Sequence, residues 1–182
     1  MEVKLKNVRL SFPNIWHATE FKTGDGKPRF DASFLCEPGS DNDKAILAAI
    51  DAEGKNTFGE KWSSVKKGLW GQSNKCCYLD GNTKDYGGYE DKWALSCHAK
   101  ARPLIIDRNR QTLTEEDGKP YAGCYVNAKV EIYVQKGENA GIRASFSGIQ
   151  FVADGEAFTG GKPASVEEFD DLGEGADVDD LT

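Results

Sequence analysis

Apolar and polar residues alternate along several segments of the chain, which is the pattern of β-strands that bury one face. Residues 3–16 alternate with a change of phase at Asn7, and this predicts one long strand interrupted by a bulge. Residues 29–36 alternate without interruption and predict a second strand. The residues predicted to point inward from these two strands are Val3, Leu5, Val8, Leu10, Phe12, Phe30, Ala32, Phe34 and Cys36.

The clearest pair of strands is predicted between residues 124 and 153. Every second residue from Cys124 to Val134 is apolar, residues 136–141 form the hairpin loop, and the return strand changes phase near Gly148, as a bulge would cause. A further strand is predicted over residues 93–102, and residues 104–106 form a short apolar piece after Pro103. The polar face of the first strand of the hairpin consists of Tyr125, Asn127, Lys129, Glu131, Tyr133 and Gln135.

One short helix is predicted over residues 43–53, with Ser40 or Asp41 as its N-cap and Gly54 as its end. Residues 55–71 mix lysines with large aromatic residues, and residues 72–91 form a polar loop rich in Gly and Tyr without a clear period. Long loops of this kind are usually functional or mobile.

The fold class predicted by these elements is mainly β. Five to six strands, some of them bulged, with one short helix and long loops are typical of a small barrel, and the OB-fold is the barrel that fits best. An immunoglobulin-like sandwich is the alternative, although it would usually have seven shorter strands at more even spacing.

Charge divides the chain into a body and a tail. The chain has 30 acidic and 23 basic side chains, and residues 167–182 carry eight of the acids and no base, so the body keeps 22 acids against 23 bases. We expect a domain over 1–158 and a linker with a disordered acidic tail over 159–182. Apolar residues among the acids favour a regulatory segment that docks, with Phe169, Asp170, Asp171, Asp179 and Asp180 as its central residues.

Five cysteines, an odd number without CxxC spacing, favour free thiols in a reducing compartment. Neither a membrane-length apolar run nor a signal segment is present, so we expect a soluble cytoplasmic protein without membrane contact. No metal site and no cofactor are predicted, because the Cys and His residues lack a recognised zinc spacing.

Cations interleaved with aromatic residues predict a surface for single-stranded nucleic acid, because cations pair with phosphates and aromatic rings stack on bases. The predicted binding residues are Tyr125, Lys129, Tyr133, Lys100, Arg102, Arg143, Trp62, Lys66, Lys67 and Trp70. The alternative interpretation is structural: Phe58 and Trp62 would cover the core, and the tyrosines would pair across a solvated sheet face.

Catalysis has little support in the sequence, because no nucleophile motif, Walker loop, dinucleotide fingerprint or HExxH motif is present. We therefore expect a protein that is not an enzyme. A metal-dependent nuclease or recombination enzyme remains the alternative function, since two-metal sites need only scattered carboxylates. The candidates for such a site are Asp31, Asp80, Asp85, Asp107 and Glu131.

Three segments resemble a family of phage single-stranded DNA-binding proteins: NVRLSFPNIW at the start, YAGCYVNAKVEIYV, and GIRASFSGIQFVADGEAF. The resemblance implies an OB-fold that coats single-stranded DNA in phage replication and recombination, located in the host cytoplasm. It also implies an acidic C-terminus that regulates binding or recruits replication and recombination proteins. Weaker binding to duplex DNA and a monomeric or dimeric state are further expectations. This tail ends in Asp179, Asp180, Leu181 and Thr182 rather than in an aromatic residue, which departs from many single-strand binders.

Overall fold

The computed structural model describes residues 1–20, 26–158 and 169–173. Within these residues the chain is mainly β, and two helices lie between the second and third strands. The elements are β1 (Glu2–Thr19), β2 (Arg29–Cys36), α1 (Asp41–Phe58), α2 (Trp62–Leu69), β3 (Tyr78–Asp80), β4 (Trp93–Ala99), β5 (Leu104–Ile106), β6 (Tyr125–Gln135) and β7 (Gly141–Ala153).

Five of the strands close into a barrel. The antiparallel order β4-β2-β1-β6-β7 is closed by a parallel contact between β4 and β7, in which His98 pairs with Ser145. The short strands β3 and β5 extend the edges of β4 and β7. The prediction of a mainly-β, OB-fold-like barrel is confirmed.

The pairing of the long first strand shifts register at three places, of which the last lies between Asn14 and Thr19. Its register with β6 shifts between Leu5 and Val8, around Asn7 with φ 52°, which confirms the predicted bulge. A second irregularity, between Ser11 and Asn14 in the register with β2, was not predicted. Phe12 has φ 46° there and is 43% exposed, whereas Ser11 is buried. The prediction that Phe12 points inward is therefore wrong, because the second bulge reverses the alternation.

The barrel interior is filled by the predicted inner faces of the hairpin. Val126, Val130 and Ile132 of β6 are buried, and β7 shifts register so that Lys129 pairs with Gly148 while Val130 pairs with Phe146. This confirms the bulge predicted near Gly148. The ring of Phe146 meets that of Phe34 from β2 edge to face, with centroids 6.2 Å apart.

Helix α1 is longer than predicted and is followed by a second helix. Ser40 caps it by accepting a hydrogen bond from the backbone N–H of Asp43, as predicted, but the helix continues past Gly54 to Phe58. Gly54 lies inside the helix because the indole of Trp62, on α2, packs directly against it. The prediction of one short helix ending at Gly54 is therefore wrong, and residues 62–69, for which no element is predicted, form α2.

The first part of the predicted loop over 72–91 belongs to the body. Cys76, Cys77 and Tyr78 are buried, and the Tyr78 hydroxyl donates a 2.6 Å hydrogen bond to the carboxylate of Asp43, itself only 8% exposed. All five cysteines are free thiols, as expected, and all are buried. None of the helices in the described ranges has the length and apolar character to cross a membrane.

Candidate nucleic-acid interface

A concave basic surface lies on the outside of the barrel where β2 begins and β4 ends. We call it the basic groove; its volume is about 740 Å³. Strand β2 contributes the cation Arg29, and the segment after β4 contributes Lys100 and Arg102. Tyr133 of β6, 42% exposed, adds an aromatic ring to the same groove. The structure therefore brings together three of the predicted binding residues, Lys100, Arg102 and Tyr133.

The basic groove is partly pre-organised. The guanidinium of Arg102 donates a 2.5 Å hydrogen bond to the backbone carbonyl of Trp16, which holds the charge beside β1. Beside the groove, the side-chain amide of Asn14 on β1 donates a 3.0 Å hydrogen bond to the carboxylate of Asp31 on β2. Asp31 pairs in register with His98, a lining residue of the groove.

The surrounding protein shifts the pKa of two titratable groups at this place, His98, which is exposed, and Asp31, which is half-buried. Loss of solvent around the imidazole, together with the positive charges of Arg29 and Arg143, holds the pKa of His98 below its usual range, although Asp31 opposes the shift. Loss of solvent also raises the pKa of Asp31, against the hydrogen bond from Asn14 and the nearby His98. At neutral pH the groove is therefore charged by Arg and Lys, with a neutral imidazole among them.

The position of the groove matches the usual binding face of the fold. OB-folds contact oligonucleotides with the second and third barrel strands and with the loops after the first and fourth strands. In this chain those strands are β2 and β4, and the loop after the fourth barrel strand is the hairpin turn between β6 and β7. The basic groove lies on β4 and the start of β2, next to that turn.

Lys129 lies in a different concavity, which we call the lysine groove. Together with Lys4 and Lys6 it borders a groove of about 470 Å³ whose floor includes Leu104 and Ile106. The Lys129 ammonium is 3.1 Å from the carboxylate of Glu2, and both side chains are half exposed, so this ion pair is weak. Ser147 borders both the lysine groove and the basic groove, so the two are adjacent.

Two predicted binding residues, Tyr125 and Arg143, lie outside the basic groove. Tyr125 is half-buried at the far end of β6, where the guanidinium of Arg9 lies 6.0 Å from its ring centre. Arg143 pairs with Tyr133 in register, but its guanidinium donates a 2.8 Å hydrogen bond to the backbone carbonyl of Asn74. The structure therefore places neither of them among the residues that line the basic groove.

The remaining predicted cations lie on the helices, in what we call the helical patch. Lys66, Lys67 and Trp70 line a groove of about 710 Å³ on α1 and α2, and the Lys66 ammonium is 2.8 Å from the Asp51 carboxylate. Trp62 is 3% exposed, and its indole N–H donates to Asp51. The assignment of Trp62 as a base-stacking residue is corrected, because its ring is packed inside the protein.

Part of the predicted regulatory tail lies in the described residues. Phe169, Asp170 and Asp171 are exposed, Phe169 by 71%. Asp179 and Asp180 lie outside the described residues. The regulatory role of the tail therefore stays a prediction.

Sequence reasoning missed residues on both sides of the binding face. Arg29 is not among the predicted binding residues, since only closure of the barrel by β4 and β7 brings the start of β2 into the same groove as Tyr133 of β6. Phe12 and Tyr86 form an exposed aromatic pair with ring centres 4.8 Å apart. The only sequence signal for this pair was the abundance of Tyr in the loop over 72–91.

The carboxylates considered for a nuclease do not form a cluster. Asp80 accepts a hydrogen bond from the Asn82 backbone, and Asp107 accepts hydrogen bonds from the Asn109 and Gln111 backbones, so both stabilise turns. Within 1–20, 26–158 and 169–173, no three His, Cys, Asp or Glu side chains are grouped so that they could hold a metal ion.

Comparison with known proteins gives one family match and one close relative. The model of the family described as "Enterobacter phage Enc34, ssDNA-binding protein" matches residues 1–182. The chain is 45% identical over 177 residues to "Putative protein p50" of Acyrthosiphon pisum secondary endosymbiont phage 1, and the match covers 94% of each chain.

Solved structures with the same fold include two phage proteins. The single-stranded DNA-binding protein from bacteriophage Enc34 in complex with ssDNA superposes with a TM-score of 0.69 at 23% identity, over 86% of this chain and 89% of that chain. The protein gp2.5 of bacteriophage T7, a single-stranded DNA-binding protein, superposes with a TM-score of 0.53 at 9% identity, over 93% and 97% of the two chains. At these identities the likeness concerns the fold alone.

Proposed function

The chain belongs to the phage Enc34 single-stranded DNA-binding protein family, and from that premise we propose that it coats single-stranded DNA without sequence preference. The basic groove is the observation that carries the proposal, since it joins Arg29, Lys100 and Arg102 with the exposed ring of Tyr133 on the face that OB-folds use. Its cations pair with phosphates, and Tyr133 stacks on a base. In this role the protein binds stoichiometrically and is not an enzyme.

In this proposal, longer single strands of DNA extend from the basic groove in two directions. Lys129, with Lys4 and Lys6, offers cations along the adjacent lysine groove. On the other side, the hairpin turn leads towards the helical patch, because the ammonium of Lys136 lies 5.7 Å from the centre of the Phe58 ring on α1. Lys66, Lys67 and Trp70 are the contacts proposed there.

The test is a titration of labelled oligothymidine at several salt concentrations with EDTA present. Each phosphate neutralised contributes about −0.7 to the slope of log K against log salt. The double variant Lys100→Gln/Arg102→Gln should therefore bind more weakly and lose about 1.4 of the slope. Lys44→Gln/Lys61→Gln is the matched control, because both lysines are exposed and line none of the grooves described above. A wild-type slope near zero refutes the proposal, and dependence on a divalent metal would favour the nuclease alternative.

We further propose that residues 1–158 form the binding domain and that the acidic tail regulates it. The tail competes with DNA for the cations of the body and recruits replication or recombination proteins once DNA displaces it. Because the tail is covalently joined to the body, its effective concentration is about millimolar, so an intrinsic affinity near millimolar occupies about half of the sites. Duplex DNA binds more weakly than single strands in this scheme.

Deletion of residues 167–182 tests the tail. Affinity for single strands should rise about two- to tenfold at low salt, and the gain should shrink as salt screens the eight carboxylates. The control is replacement of the eight acids by their amides, which keeps the length of the tail and should give the same gain. An unchanged affinity at low salt would leave the tail only the role of binding partners.

A further inference from the structure

An exposed aromatic cluster lies beside the DNA-binding face but outside the basic groove. The ring centres of Phe12, on β1, and Tyr86, in the loop between β3 and β4, are 4.8 Å apart. The two side chains are 43% and 48% exposed. Tyr89 contacts both rings from beneath, with centroids 6.4 and 5.1 Å away. We call this cluster the aromatic platform. Exposed aromatic rings grouped in this way commonly mark a binding site.

The backbone holds Phe12 in a conformation that only a specific environment would maintain. Its φ of 46° lies in the left-handed region, which is a genuine outlier for a bulky residue. Such strain destabilises the folded chain and is concentrated at functional sites. Here the strained backbone leaves 43% of an apolar side chain exposed, so burial of that side chain offsets the strain only in part in the free protein.

The rest of the platform is fixed rigidly. Tyr89 is 3% exposed, and its hydroxyl is 2.9 Å from that of Ser11. Gly88 touches the ring of Phe158, to which an added Cβ would come within 2.1 Å. A pre-organised site loses less conformational entropy when a ligand binds, so these contacts favour binding by the exposed rings.

The cavity beside the platform suits one flat, polar-edged group. Its volume is about 270 Å³, slightly below the roughly 300 Å³ at which pockets for drug-sized ligands begin. The lining includes Ser11, Asn14 and Asp85 beside the aromatic rings, and it contains no Lys or Arg. Asn14 and Asp85 can bond to the edge of a base, whereas Ser11 is buried and its hydroxyl contacts that of Tyr89. None of the three can neutralise a phosphate.

The platform and the basic groove lie on one continuous row of the sheet. Asn14 borders the platform cavity, pairs with Asp31 on β2, and Asp31 pairs with His98, which borders the basic groove. Two inter-strand spacings of about 4.8 Å separate Asn14 from His98. One strand can therefore reach both sites, because one OB-fold contacts a stretch of roughly 4–16 nucleotides.

We propose that the aromatic platform is a base-stacking subsite for the single strand held in the basic groove, with Phe12 and Tyr86 as the stacking rings. The proposal rests on the proposed function, because the groove supplies the phosphate contacts. Its physical signature differs from that of the groove: a stacked base adds affinity without releasing counterions. Loss of the platform should therefore weaken binding equally at all salt concentrations.

The experiment compares Phe12→Gly, Tyr86→Leu and Tyr86→Phe with the wild type in oligothymidine titrations over a range of salt. Glycine adopts φ 46° without strain, so Phe12→Gly removes the ring while relieving the backbone. Phe12→Gly and Tyr86→Leu should each weaken binding about tenfold or more with an unchanged salt slope, whereas Tyr86→Phe keeps the ring and should retain affinity. A fluorescent base analogue in the strand should show reduced quenching in the same two variants.

The outcomes separate the two proposals. If the wild type fails to bind single strands, the proposed function itself fails. If the wild type binds and Lys100→Gln/Arg102→Gln reduces the slope, but Phe12→Gly and Tyr86→Leu bind like the wild type, only the platform is refuted. A fall in slope in the platform variants would also overturn it, because it would mean that the rings act by positioning cations. Normal DNA binding with loss of a protein partner would assign the platform to protein docking instead.

Discussion

Replacing Gly54 by alanine tests how the two helices pack. In an exposed helix this change would add up to about 1 kcal/mol of stability, because Gly is the poorer helix former. Here an added Cβ would lie 2.0, 2.2 and 2.4 Å from three ring atoms of Trp62, far inside the carbon–carbon contact distance of about 3.5–4.0 Å. The ring or the helix must therefore move by more than about 1 Å.

Trp62 cannot move away without loss. Its indole N–H donates a 3.0 Å hydrogen bond to Asp51, which also accepts a 2.8 Å bond from Lys66. Overpacking of this kind costs about 1–3 kcal/mol, so it outweighs the gain in helix propensity. We expect Gly54→Ala to lower the free energy of unfolding by about 1–2 kcal/mol, which corresponds to about 2–8 °C in Tm for a chain of this size.

The assay is thermal and denaturant unfolding, with Gly68→Ala as the matched control. Gly68 also lies in a helix, but an added Cβ meets no atom within 4 Å there, so this variant should gain up to about 1 kcal/mol. In a Trp62→Leu background, Gly54→Ala should lose most of its cost, and the double-mutant cycle measures that coupling. If Gly54→Ala stabilises the protein as much as Gly68→Ala does, the close packing of Trp62 on α1 is refuted.

Three further predictions concern the barrel and the basic groove. Tyr133→Ala should weaken single-strand binding by about 1–3 kcal/mol with little change in Tm. Val130→Ala should instead lower the free energy of unfolding by about 1–3 kcal/mol and so lower Tm. The opposite result in titrations and melts would mean that the inner and outer faces of β6 are inverted. Tyr78→Phe removes the buried donor to Asp43 and should lower the free energy of unfolding in urea by about 1–3 kcal/mol, so an unchanged value would contradict the bond. Since partial loss of solvent and the nearby Arg29 and Arg143 lower the pKa of His98, its ring is neutral at pH 7, and phosphates favour its protonation. Affinity should therefore rise as pH falls from about 7 to 5, and His98→Gln should flatten that rise.

The long strands were predictable because their alternation of apolar and polar residues follows burial directly, whereas the short strand β3 lies within the loop predicted over 72–91. Strand β2 was placed at residues 29–36, the same bounds that the structure has, and the alternation of β6 identified its inner face. The slips at Asn7 and near Gly148 were visible because a bulge shifts the phase of the apolar residues that follow it. In each case the signal lies within a few neighbouring residues.

Features that depend on distant contacts were not predictable. Glycine commonly ends a helix, and only the ring of Trp62, packed against Gly54, explains why a glycine lies inside α1. The basic groove joins Arg29 to Tyr133, more than a hundred positions apart, and it exists only because β4 and β7 pair and close the barrel. The exposure of the Phe12 ring depends on a positive φ, which the sequence pattern does not predict.

The contact between Phe158 and Gly88 sets a boundary for shortened forms of the protein. The guanidinium of Arg9 lies 4.1 Å from the centre of the Phe158 ring, and the Phe158 backbone N–H donates to the carbonyl of Ala122. A chain that ends just after Phe158 keeps these contacts, whereas a chain that ends just before it removes the support behind the loop that carries Tyr86. Two truncations that differ by one residue should therefore differ in protease sensitivity around residues 84–90, and a deletion that crosses this boundary would confuse the loss of acidic charge with damage to the body.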